Sequence, residues 1–109
     1  MIVDTFPDFL EYYDTARSYP VDEQIRLWET SYMAGYPELF QKQAQCYAED
    51  NLDWRDVAKK VIPAYGERLP LMKAARDTIL ATGESVLEQA QERLGIEFLI
   101  TIVVYAGIG

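Results

Sequence analysis

The sequence contains no histidine and a single cysteine, Cys46. Those absences exclude histidine-based acid–base catalysis. They also exclude the usual zinc and di-iron donor sets, since HExxH helices, Cys/His fingers and Glu-x-x-His motifs need histidine or several thiolates. One cysteine cannot form an internal disulfide. Six scattered glycines spell neither G-x-G-x-x-G nor a P-loop. No apolar run reaches the roughly 20 residues that span a bilayer. Met1-Ile2-Val3-Asp4 has no basic segment leading into an apolar stretch, so no secretory leader is predicted. Basic residues are scarce, ten against eighteen acidic ones, and the net charge is −8. Such a chain repels phosphate backbones and anionic lipid, which makes nucleic acid and membranes unexpected partners. A cytoplasmic location is the expectation.

What is present describes one globular domain. Half of the 109 residues are hydrophobic and 26% are charged, which suits a single domain over residues 1–109. The fold class expected is mainly α (α+β), with four to five helices, a short N-terminal strand and an apolar C-terminal strand near 97–105. Met1 to Thr5 is short and β-prone. Pro7-Asp8 opens a helix carrying Phe9, Leu10 and Tyr13, and Ser18-Tyr19-Pro20 ends it. Ile25, Trp28 and Tyr32 form the stripe of a second helix. Gly35-Tyr36-Pro37 separates it from a third, over Glu38 to Ala48. A polar loop over residues 49–53 follows. Asp53 is read as the N-cap of a fourth helix containing Trp54, Val57, Ala58, Val61 and Ile62.

Pro63, Gly66 and Pro70 predict a broken stretch before one long helix near 71–94. Its stripe is Met72, Ala75, Ile79, Val86, Ala90 and Leu94, read as core, with Gly83 inside the helix at a close contact; two helices broken at Thr82-Gly83 are the alternative. Glu84, Glu88 and Glu92 lie opposite, on a solvated face. Gly95 is the expected stop. Glu97 to Tyr105 is a β-branched run without polar alternation, the pattern of a strand covered on both faces. Its only partner within the sequence is Met1 to Thr5, in a hairpin-like pair, and two strands make a poor sheet. Helices, another chain or a continuation past Gly109 would have to complete it, and the continuation is the expectation.

Few side chains point to chemistry. Cys46 shares a helical pattern with Phe40, Gln43, Ala44 and Tyr47 and is expected to be a buried thiol. Asp50, Asp53 and Asp56 do not fit an EF-hand loop, and capping explains them better. A carboxylate hydrolase would need only two acids. Glu29 and Glu38 are the first such pair to consider, although a surface role is the simpler account of both. Six of the eight tyrosines (Tyr12, Tyr13, Tyr19, Tyr32, Tyr36, Tyr47) fall in the first 47 residues, together with Trp28. They suit either a ligand cleft or the packing of short helices, and packing is the reading preferred. No catalytic, cofactor-binding or metal-ligating residue is assigned.

Four segments carry a resemblance. Tyr19-Pro20 with Leu27-Trp28, Gly35-Tyr36-Pro37-Glu38-Leu39, Asp53-Trp54-Arg55-Asp56-Val57-Ala58, and Ile102 to Gly109 together resemble the N-terminal region of an uncharacterised bacterial family of predicted zinc-dependent HExxH peptidases. The resemblance covers most of the chain through packing and turn residues. It implies that the catalytic residues and zinc belong to a longer parent protein, beyond Gly109, and that peptide substrate is bound only there. The expected function is therefore a non-catalytic helical N-terminal domain or fragment of such a metallopeptidase. The alternative is a complete interaction module that forms a homo-oligomer through Phe98 to Tyr105.

Overall fold

The computed structural model describes residues 2–94 and 102–107, apart from the side chains of Ala90, Leu94, Ile102 and Val103. The chain order is β1 (Ile2–Asp4), α1 (Phe6–Ala16), α2 (Val21–Leu27), α3 (Pro37–Glu49), α4 (Trp54–Val61), α5 (Tyr65–Leu94) and β2 (Ile102–Val104). The fold is mainly helical with two short strands, as the sequence predicts. The remainder of the expected C-terminal strand, including Phe98, lies outside the described residues.

Local sequence explains most boundaries. Pro7 stands in the first turn of α1 and Pro37 opens α3, where the missing N–H costs nothing. The Asp53 carboxylate accepts a hydrogen bond from the Arg55 backbone N–H at 3.0 Å and caps α4 as expected. α3 ends in a Schellman turn. The Leu52 N–H donates to Tyr47 O, the Asn51 N–H donates to Ala48 O, and Asn51 takes the left-handed conformation at φ 60°. α2 runs on into a π turn over Trp28–Tyr32 and a 3₁₀ turn over Met33–Gly35. The wider π turn keeps Trp28, Tyr32 and Met33 all directed inward, and each is buried.

Three expectations are corrected. The stretch around Pro63 is tightened to a 3₁₀ turn over Ile62–Ala64, and α5 then starts at Tyr65 and runs straight through Pro70. Pro70 removes the bond its N–H would make to the Gly66 carbonyl; Gly66 is exposed, so that carbonyl can take water instead. The strands are not hairpin-like but parallel, in the register Ile2↔Ile102, Val3↔Val103 and Asp4↔Val104. Five helices intervene between them, and a parallel pair requires such a crossover.

The third correction concerns the α5 stripe. Its N-terminal part packs on the core through Leu69 and Met72, but Ile79 is 47% exposed and Val86 55% exposed. Gly83 is buried inside the helix, as expected. A helix of 30 residues is about 45 Å long, which accounts for the molecule's 51 Å long axis. The radius of gyration, 15.8 Å, exceeds the roughly 13 Å of a compact chain this size.

Candidate functional site

The core is an aromatic cluster built by α1, the π turn, α4 and the start of α5. Phe9 is fully buried and meets Tyr12, Tyr32 and Tyr65 at centroid distances of 5.9, 5.6 and 5.0 Å. Trp28, also fully buried, meets Tyr32, Phe40 and Trp54 at 6.3, 6.0 and 5.6 Å. The tyrosines thus pack short helices together, and Tyr19 alone of the six is largely exposed, at 49%. Tyr65, which sequence reasoning did not single out, is buried as deeply as Tyr12 and nearly as deeply as Tyr32.

Burial pushes the phenols of Tyr12 and Tyr65 well above their ordinary range and raises that of Tyr32, where the hydrogen bonds with Thr5 and Ala106 act the other way. Tyr36 is pushed up to about 12, chiefly by its hydrogen bond to the Asp8 carboxylate. None of these four phenols ionises near neutral pH, so none is a ready base.

Four hydrogen bonds tie both chain ends to this cluster. The Thr5 hydroxyl donates to Val104 O at 2.8 Å. With its one proton used there, Thr5 Oγ1 must accept the bond it shares with the Tyr32 hydroxyl, at 2.5 Å. The Tyr32 oxygen in turn accepts the Ala106 N–H at 2.9 Å. Separately, the Tyr65 hydroxyl donates to Gly107 O at 2.7 Å. Between α5 and the Val104–Gly107 segment runs a groove of about 430 Å³ with walls from Phe6, Val61, Met72, Ala75 and Ile79. Arg68 and Arg76 also line it, and no described carboxylate does.

Arg76 clasps β1 to α5 through the Asp4 carboxylate, which also accepts the Phe6 N–H at 3.1 Å. The arginine, above all, holds the Asp4 carboxyl below the usual aspartate range. A lowered folded-state value means stability that is fully present above the unfolded pKa, about 3.9. It is lost as pH falls through the still lower folded value. Native stability should therefore decline in acid below about pH 4, partly through this clasp. Asp4→Asn should be less stable than the parent at pH 7, and the gap should narrow as the pH is lowered toward about 2. Urea titrations at both pH values check this, and a gap of the same size at both would remove the clasp from the acid response.

The candidate acids do not converge. Glu29 faces Arg55 at 3.6 Å in a cleft between α2 and α4 lined by residues of both signs, including Asp22, Arg26, Asp56 and Lys59. Glu38 is in the first turn of α3 and does not line that cleft, where it suits the positive end of the helix. Asp53 is occupied as a cap, and among the described residues no three Cys, Asp or Glu side chains come together as a metal site. Cys46 is exposed, contrary to expectation, because the half-buried face of α3 is formed by Phe40, Gln43, Ala44 and Tyr47 and position 46 falls beside it. Among the described residues no helix is long and apolar enough to cross a membrane. No family model matches the chain, and no curated protein or solved structure is significantly similar to it.

Proposed function

We propose that this chain is the non-catalytic, helical N-terminal part of a zinc-dependent peptidase, whose HExxH helix is carried by a further stretch of the same polypeptide. The observation that supports this reading is the parallel β1–β2 pair. Parallel strands belong as a rule to larger sheets covered on both faces, and a two-stranded sheet is marginal by itself. The described residues contribute helices to such a sheet but only two strands. Zinc and peptide substrate belong to the longer protein. The net charge of −8 disfavours nucleic acid, and the lone unpaired cysteine suits a reducing cytoplasm.

The test is the intact mass and metal content of the protein expressed from its native gene. The expected result is a mass well above the 12.5 kDa of these residues, about one zinc per chain and chelator-sensitive peptidase activity. A mass of 12.5 kDa, or a longer protein without zinc, sinks the proposal.

A second reading, an interaction module that dimerises through its C-terminal strand, draws on one observation. Ile79 is exposed and lines the groove beside Val104 to Gly107, leaving apolar surface next to that strand for a partner to cover. Ile102→Lys should then yield a monomer or an insoluble protein, whereas an unchanged dimer counts against it.

A further inference from the structure

We infer that the groove between α5 and the Val104–Gly107 segment binds a free aliphatic monocarboxylate, its carboxylate on Arg68 and its hydrocarbon chain laid along α5. The site is independent of the peptidase reading, since it needs neither zinc nor residues beyond this chain. Its volume of about 430 Å³ falls within the roughly 300–1,000 Å³ of small-molecule sites. The order of residues along α5 sets the direction of the ligand. Arg68, Met72, Ala75 and Ile79 line the groove at i, i+4, i+7 and i+11, which is one stripe of a helix. At 1.5 Å per residue they span about 16 Å. One end of the stripe is thus cationic and the rest apolar. Ala75 and Ile79 are exposed, so this chain leaves the apolar part uncovered. Phe6, Val104 and Ala106 supply apolar surface across from it.

Charge selects the head group. The chain carries −8 overall, yet no described carboxylate lines the groove. Arg76 is committed to Asp4 and Asp77. Arg68 makes no ion pair among the described residues. A free guanidinium at the end of an apolar wall matches a planar carboxylate, which it can hold through two parallel hydrogen bonds. The opposite wall disfavours a peptide. Its Val104 carbonyl is taken by Thr5, its Ala106 N–H by Tyr32 and its Gly107 carbonyl by Tyr65. Strand pairing needs such groups free, whereas a hydrocarbon chain asks only for apolar contact.

Titration calorimetry of the protein expressed from its native gene, with decanoate, octanoate and decan-1-ol as probes, tests the site. Decanoate should bind about tenfold more tightly than decan-1-ol. Octanoate should be weaker than decanoate by about fourfold for each CH₂ removed. Arg68→Gln, at an exposed position, should weaken decanoate about tenfold and leave decan-1-ol unchanged. Ala75→Trp, also exposed, should fill the groove and abolish binding of both, with circular dichroism showing the helices intact. Equal affinity for acid and alcohol, full decanoate affinity in Arg68→Gln, or undiminished binding in Ala75→Trp overturns the inference. So does the absence of measurable decanoate binding at about 1 mM.

Discussion

Trp28→Ala should lower the unfolding free energy by about 3–5 kcal/mol, a large share of the 5–15 kcal/mol a domain normally has. The indole is fully buried in the π turn and touches Tyr32, Phe40 and Trp54, so its removal leaves a cavity bordered by rigid rings from three separate elements. Rings on different helices cannot close such a space without moving the helices. Polar loss plays little part in that figure. The Trp28 Nε1–H is buried beside the Tyr65 hydroxyl without completing a hydrogen bond. Trp28→Phe keeps one ring and gives up the unpaired donor together with part of the indole volume, so it should cost less than alanine. Tyr19→Ala, at an exposed position, should stay within about 0.5 kcal/mol of the parent. Urea denaturation followed by circular dichroism ranks the three. Equal losses at positions 19 and 28 would show that the cluster is not the centre of stability.

The same contrast explains what could be read from the sequence. Helix positions, the Asp53 cap and the inward Trp28 and Tyr32 all follow from periodicity and capping, which are local. Strand direction does not, since it depends on how five helices return the chain to its start. α5 running through Pro70 depends on solvent reaching one carbonyl. The exposed end of α5 illustrates a further limit. Ile79 and Val86 have the spacing of a core stripe, and spacing states only that one face is apolar, not that this chain covers it. Cys46, expected to be buried, was misread from a local pattern that places it off the buried face. The residues grouped with it, Phe40, Gln43, Ala44 and Tyr47, define a helical face that position 46 does not share. Glu29 and Glu38 were chosen for their neighbours in sequence. The fold sends one to the α2–α4 cleft and the other to the start of α3.

Tyr65 shows why the tether between the chain ends was missed, for its partner is the Gly107 carbonyl, 42 residues away. Nothing in the local pattern distinguishes it from a tyrosine that merely packs. The tether nonetheless decides what the helices support. It holds β2 against β1 at the only place where the described residues form a sheet.

Tyr32→Phe isolates that tether. The substitution keeps the ring, which is 1% exposed, and removes only the hydroxyl oxygen. The Ala106 N–H then loses its acceptor and Thr5 Oγ1 loses the proton it receives, both in the buried interior. Leaving a buried donor unpaired costs about 1–3 kcal/mol, so the loss expected here is about 2–3 kcal/mol once the weaker acceptor loss is included. Tyr65→Phe leaves only the part-buried Gly107 carbonyl short of a donor, where water can reach, and should cost about 1 kcal/mol. Thr5→Val removes the other member of the pair, so the double variant should cost less than the two single losses added together, by about 1 kcal/mol. The location of the change is as informative as its size. Amide exchange in Tyr32→Phe should speed up at Ala106 and along β2 before it does in α1 or α4. Uniform acceleration across the helices would mean that the hydroxyl supports the core at large, and strict additivity with Thr5→Val would break the proposed chain of bonds between Ala106, Tyr32, Thr5 and Val104.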